Sequence, residues 1–239
     1  DDAIDKSEMR RGRPTIFKLW GTDPAVLLGD YLFANSSVEV SNTLNIRAVR
    51  LLSQTLMIIS QGELNQAINA FNINQTYEDY IQRIFGKTAS LFCLATESGG
   101  ILSQAPENSI QNLKEYGRGL GLAFQIVDDI LDFRGDEDRI GKPVANDLRQ
   151  GIATLPVMLF AQKSPNHPTI MKAVGRQPVS DAEMVAVVEQ IRASGSVDAA
   201  MAEARRFAQQ AQAELALLPD NPYRQAMHGL AEYTVARDI

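Results

Sequence analysis

Proline placement limits what this chain can fold into more than any other feature. None of its ten prolines falls between Pro24 and Pro106, or between Pro106 and Pro143, and because proline breaks helix interiors these gaps leave room for long helices. Apolar residues recur there at helical spacing: Leu44, Val49, Leu52, Leu56 and Ile59, then Tyr77, Ile81, Ile84, Phe85, Leu91 and Leu94. A third run near the C-terminus, Val197, Met201, Ala204, Ala208, Ala211, Leu215 and Leu218, repeats the pattern. No strictly alternating segment bounded by hairpin turns accompanies them. The expected fold is all-α, with roughly eight to ten helices in a bundle. Thr76 followed by Asp79, and Ser180 followed by Glu183, predict helix N-caps, whereas Gly99-Gly100 and Gly195 predict stops. Connections are expected at 10–15, 103–108, 134–151, 163–168, 175–180 and 219–222. None is long enough to link domains, so 1–239 reads as one domain.

Charge narrows the function. Twenty-three Lys+Arg against 29 Asp+Glu give a net charge of -6, so nothing global draws the chain to nucleic acid or to an anionic membrane. An anionic ligand must be held by a local cluster. The single cysteine, Cys93, cannot form an internal disulfide and reads as a small core residue, and His167 and His228 lie too far apart for zinc-ligand spacing. No apolar run is long enough for a transmembrane helix, which makes a cytoplasmic location the expectation.

Two segments share one pattern: Asp1-Asp2-Ala3-Ile4-Asp5 and Asp128-Asp129-Ile130-Leu131-Asp132. On a helix, i and i+4 stack one turn apart and i+1 lies 100° round, so the three carboxylates form one acidic edge. One such motif is most simply a solvated acidic face. Random placement gives on the order of 0.07 matches per chain, however, and two are present. The second follows Leu120, Leu122, Ala123, Phe124, Ile126 and Val127, so its charges lie beside a core and need compensation. Hard oxygen ligands suit Mg²⁺, which bridges one or two carboxylates to a ligand's phosphates. Two such clusters on facing helices would clamp a diphosphate through shared ions. Cations for the remaining phosphate charge are at hand in Arg10, Arg11 and Arg13, Lys87 and Lys142. Gly86-Lys87-Thr88 lacks the upstream glycine and the strand of a P-loop. Gly117, Gly119 and Gly121 have the wrong spacing for a dinucleotide fingerprint and read as close helix contacts.

Taken together, the segments DDAIDKSEMRRGRPT at 1–15, LLGDYLFA at 27–34, GEL at 62–64, GKTASLF at 86–92, GLAFQIVDDILDF at 121–133 and GKPVANDLRQGIATLP at 141–156 resemble the trans-type polyprenyl diphosphate synthases. Within that family the long-chain octaprenyl and solanesyl group is the nearest in pattern. The resemblance implies the helical bundle of the isoprenoid synthases and a Mg²⁺-dependent prenyltransferase that condenses isopentenyl diphosphate with an allylic diphosphate. It makes Asp1, Asp2, Asp5, Asp128, Asp129 and Asp132 ligands to three Mg²⁺ ions. By the same resemblance Arg10 binds the allylic diphosphate and Arg11 binds isopentenyl diphosphate. Lys87, Gln125 and Lys142 are further diphosphate or active-site polar contacts, Thr88 lies near the developing cation, and Phe124 lines the isopentenyl side. Lys87, Thr88 and Gln125 are the catalytic candidates. The family also implies a homodimer, peripheral membrane contact for a hydrophobic product, and helices upstream of the first motif, so an N-terminally incomplete domain is expected. Ala145 stands where the family often has glycine. A terpene cyclase of the same fold, whose second motif mixes Asn or Asp with Ser or Thr and Glu, and a non-catalytic or partner-dependent subunit of a heteromeric synthase are the alternatives.

Overall fold

Helices make up nearly all of the regular structure in the computed structural model, which describes residues 2–4, 6–10, 12–134 and 144–237. The chain divides into two compact units, Asp1–Leu52 and Ser53–Ile239.

In the first unit β1 (Met9–Arg10) and β2 (Arg13–Pro14) pair antiparallel across a turn where Gly12 has φ +74°. The stretch 10–15, expected as a plain connection, therefore holds a minimal hairpin. Thr15 ends it: its hydroxyl donates to the Ser7 carbonyl at 2.6 Å and accepts from the Lys18 N–H at 3.1 Å, which caps α1 (Ile16–Trp20). Gly21, at φ +85°, stops α1, and α2 (Thr22–Asn42) follows with no buried residue. Helix α3 (Ile46–Asn69) starts in this unit and runs into the next, well past the 44–59 expected from periodicity.

The second unit opens with α4 (Tyr77–Ile84), where Thr76 and Asp79 form a reciprocal capping box. A π-helical turn, Phe85–Ala89, joins α4 to α5 (Ser90–Leu102), so the P-loop lookalike is a widened turn inside a continuous helical run. Gly99 and Gly100 do not stop that run. Gly100 is instead a packing position, since a Cβ there would meet Leu113 Cδ1 at 3.0 Å. Helix α6 (Glu107–Arg134) is the spine of the unit, and its three glycines explain how. Gly117 and Gly121 are four residues apart on one face, against α5 and the π-turn, where added Cβ atoms would lie 2.4 Å from Thr96 Oγ1 and 2.5 Å from Ala89 Cα. Gly119 lies 200° round and meets α11 (Ser196–Leu215), its added Cβ 2.9 Å from the Phe207 carbonyl.

The stretch 134–151, expected as a connection, contains the one-turn helix α7 (Asn146–Arg149). Beyond it come α8 (Leu155–Lys163), α9 (Pro168–Val174), α10 (Asp181–Ala193), α11 and α12 (Pro222–Ala236). Twelve α-helices among the described residues exceed the expected eight to ten because pieces as short as α1 and α7 count. The main core gathers residues of α6, α8, α10 and α11, such as Ile126, Val157, Val187 and Ala204. Tyr116 donates to the Met227 carbonyl at 2.8 Å, tying α12 to α6. Cys93 is buried and free, and burial pushes its thiol up to about 12, so it is the inert core residue expected. Among the described residues no helix is long and apolar enough to cross a membrane.

The second expected cap is also present: Ser180 and Glu183 box the start of α10. Glu183 is held down at about 2, first by the Lys172 ammonium and then by the Ser180 backbone and hydroxyl. A carboxyl depressed in the fold contributes stability that is present above its unfolded value near 4.5 and is lost as pH falls through about 2. Glu183→Gln is expected to flatten the acid limb of the stability curve below about pH 4.5, read by urea unfolding at stepped pH. An unchanged acid limb would contradict the hold of Lys172 and Ser180 on this carboxyl.

Candidate active site

The last turns of α6 carry Gln125, Asp129 and Asp132 at i, i+4 and i+7, a single stripe, with Asp128 one position round on the exposed side. Asp129 is only 4% exposed and is held from two directions. Gln125 Nε2 donates to its Oδ1 at 2.9 Å, and the Tyr80 hydroxyl donates to Oδ2 at 2.8 Å. Thr88 donates to Gln125 Oε1 at 2.6 Å. Thr88, Gln125, Asp129 and Tyr80 thus form one chain in which both ends of the Gln125 amide are engaged. Arg83 lies behind it, donating to the Ala153 carbonyl at 2.8 Å and to Gln75 Oε1 at 3.1 Å.

Asp132 is engaged differently. Its two oxygens accept from the backbone N–H groups of Asn146 and Asp147 at 3.1 and 3.2 Å, so it holds the start of α7. The N-cap there is Ala145, at φ +55°, which explains why a glycine suits that position. Lys87 projects from the π-turn and pairs with Glu63 at 3.2 Å. The two meet because α3 and the π-turn cross at Gly62 and Gly86, where a Cβ on Gly62 would lie 3.0 Å from the Lys87 nitrogen.

Charge in this cluster is poorly compensated. Burial pushes the Asp129 carboxyl up, against the bonds from Gln125 and Tyr80 and the charge of Arg83. Asp147 is also pushed up, by burial first and then by the charges of Asp129 and Asp132, while Lys87 pulls it down. Crowded, desolvated carboxylates with oxygen-only donors are the setting a divalent cation relieves. Among the described residues no three His, Cys, Asp or Glu side chains are placed to hold a metal ion by themselves; Mg²⁺ bound here would take the rest of its shell from water and phosphate. The donor set therefore fits the ion the aspartate motif implies.

Removing one support of the chain has a calculable effect. Tyr80→Phe deletes a donor to a buried carboxylate and is expected to lower unfolding free energy by about 1–3 kcal/mol. Urea denaturation checks it, with Tyr77→Phe on the exposed surface as the comparison.

The sequence-predicted residues separate as follows. Lys87, Thr88, Gln125, Asp128, Asp129 and Asp132 come together in the second unit. Phe124 is half-buried with its ring 5.4 Å from Phe92 and the Arg237 guanidinium 4.1 Å above it. In the first unit Asp2 Oδ1 pairs with Arg10 Nε at 2.7 Å. Residues 2–4 form turns, not the helix assumed for the first motif, because the Ser7 N–H folds back onto the Asp2 carbonyl at 2.9 Å and Lys6 is left-handed. Asp1, Asp5, Arg11 and Lys142 lie outside the described residues. Sequence reasoning missed Tyr80, Arg83, Glu63 and Asp147 as members of the cluster. Glu63 and Asp147 stood inside segments that carried the resemblance, but Tyr80 and Arg83 lie between the periodic apolar positions Tyr77, Ile81 and Ile84 and are not singled out.

Residues 1–191 match the sequence model of the polyprenyl synthetase family. The chain is similar to solanesyl-diphosphate synthase 2 of Oryza sativa subsp. japonica, 35% identical over 99% of this chain and 58% of that protein. It is similar to heptaprenyl diphosphate synthase component 2 of Geobacillus stearothermophilus, 38% identical over 100% of this chain and 74% of that one. Its fold matches the crystal structure of a polyprenyl synthase from Caulobacter crescentus complexed with calcium and isoprenyl diphosphate. There the TM-score is 0.93 at 35% identity, covering 99% of this chain and 73% of that one. The chain spans little more than half the length of the plant relatives it matches.

Proposed function

The chain belongs to the polyprenyl synthetase family, and from that premise we propose that it is a prenyltransferase that lengthens an allylic diphosphate with isopentenyl diphosphate. The family match crosses both units, which supports reading them as one catalytic domain. One observation carries the reading: the carboxylate cluster of buried Asp129 and half-buried Asp132 and Asp147, with Asp128 exposed beside it and Lys87 acting on it.

In this proposal Asp1, Asp2, Asp5, Asp128, Asp129 and Asp132 are the ligands of Mg²⁺, three ions in all. Bound Mg²⁺ supplies charge that stabilises the leaving diphosphate. The protein's own groups do the rest. Lys87 adds a point charge toward the diphosphate, with Arg10, Arg11 and Lys142 as further phosphate contacts. The Gln125 amide, fixed by Thr88 and Asp129, presents a fixed dipole to the carbocation left at C1, and the Thr88 hydroxyl oxygen lies near it. The isopentenyl double bond attacks C1, a proton leaves to the departing diphosphate, and the product is one isoprene unit longer. Phe124 and neighbouring apolar side chains keep water from trapping the cation.

The names of the rice and Geobacillus relatives, solanesyl and heptaprenyl, support a long-chain product. Leu27, Tyr31, Leu32 and Phe33, all exposed and spread around α2, supply apolar surface for the homodimer the family implies. A second reading, a subunit that needs a partner, draws support from the "component 2" in the Geobacillus name. Incubation with labelled isopentenyl diphosphate and farnesyl or geranylgeranyl diphosphate, with Mg²⁺ or EDTA, tests both. A Mg²⁺-dependent ladder ending at one length is expected. Diphosphate binding without elongation would move the assignment to the partner-dependent subunit, and neither binding nor elongation would sink both.

A further inference from the structure

Away from the aspartate stripe, the second unit contains a cavity of about 600 Å³ whose walls include Phe71, Arg149, Arg176, Pro178, Val179 and Met184. That size is ample for a small organic ligand, and its lining joins two guanidinium groups to an apolar surface.

The cavity is built with backbone that L residues rarely adopt. Phe71 has φ +69° and Arg176 φ +57°, and Gly151, packed against Phe71, has φ +75°. The Phe71 N–H donates to the Gly151 carbonyl at 2.7 Å, and a Cβ on Gly151 would fall 2.2 Å from Phe71 Cδ1, so the ring is pressed onto bare backbone. On that ring rests the Arg176 guanidinium, 4.5 Å from its centroid. Among the described residues the Arg176 guanidinium makes no hydrogen bond or ion pair, while the Arg176 backbone N–H donates to the Ala173 carbonyl at 3.2 Å. Strained, non-glycine backbone that holds an unpaired cation over an aromatic floor is the kind of local strain that concentrates at ligand sites.

Arg149 is the second cation. It pairs at 2.9 Å with Asp181, whose side chain is 90% exposed. Such a pair is worth little against solvent, so a better anion can replace Asp181, which already marks where an anionic oxygen sits.

We propose that this cavity is a second ligand site for an amphiphilic organic phosphate, its phosphate held by Arg149 and Arg176 and its short apolar body against Phe71, Val179 and Met184. Two guanidinium forks suit a dianion better than a single carboxylate, and the apolar walls exclude bare inorganic phosphate as the best occupant.

The test is calorimetric titration of the full chain with n-octyl phosphate in EDTA, which removes Mg²⁺ and keeps the experiment independent of turnover. One saturable site is expected. Arg176→Gln and Gln177→Glu, both at exposed positions, are each expected to weaken binding about tenfold, with folding verified by circular dichroism. If Arg176→Gln does not fold, Gln177→Glu decides. Inorganic phosphate and octanol should each bind at least about tenfold more weakly than n-octyl phosphate. No saturable binding would overturn the proposal, as would binding that survives both substitutions or that is displaced by inorganic diphosphate. Octanoate binding as tightly as n-octyl phosphate would overturn the assignment to phosphates.

Discussion

Asp128→Ala is expected to lower kcat for Mg²⁺-dependent elongation by about 10³-fold or more while leaving unfolding free energy within about 0.5 kcal/mol of the parent protein. The asymmetry follows from where the three aspartates of the second motif sit. Asp128 is on the exposed side of α6, so losing its carboxylate removes a proposed metal ligand and little packing. Asp132 accepts from the first N–H groups of α7, and Asp129 is clasped by Tyr80 and Gln125. Asp132→Ala should therefore lose activity and also about 1–3 kcal/mol of stability through orphaned backbone donors. Steady-state kinetics at several Mg²⁺ concentrations, paired with urea unfolding, separate the two effects. If Asp128→Ala kept most of its activity, the second motif would not be a metal site and the elongation reading would lose its main support.

The second large effect is purely one of packing. Gly121→Ala is expected to destabilise by about 3 kcal/mol, a fall in Tm of roughly 6–12 °C for a chain this long. Its new Cβ would lie 2.5 Å from Ala89 Cα and 2.8 Å from Ala89 Cβ, contacts that backbone cannot relieve by rotating a side chain. Gly99→Ala is the control within a neighbouring helix. Its Cβ meets nothing within 4 Å, so alanine should stabilise α5 by about 0.5–1 kcal/mol. Opposite signs for the same chemical change, measured by calorimetric melting, would establish that α6 is set against the π-turn by the absence of side chain at Gly121. Equal effects would show instead that the helices can slide apart at little cost.

The Gly121 site also shows how the residues divided the work between local sequence and tertiary structure. Periodicity and proline gaps determined the long helices, because an amphipathic stripe must be buried along one face whatever its neighbours are. Thr76 with Asp79 and Ser180 with Glu183 determined two helix starts, since a capping box closes within four residues. The aspartate stripe on α6 was equally legible, because i and i+4 spacing on a helix is a local property. Gly99 and Gly100 were misread as stops because helix propensity alone cannot see that Gly100 packs against Leu113 and Ile110. The helix assumed over the first motif failed for a different reason, since the Ser7 N–H returns to the Asp2 carbonyl and turns that segment locally. Which partners the second motif has was decided only in three dimensions. Tyr80 reaches Asp129 across 49 positions of sequence, and Arg83 reaches the Ala153 carbonyl across 70. The cavity beside Phe71 likewise depends on residues brought together from the turn after α3, from α7, and from α9, α10 and the segment between them. Short-range hydrogen bonding and helical periodicity can be read along a chain, whereas burial, charge crowding and close backbone approach exist only once distant segments meet.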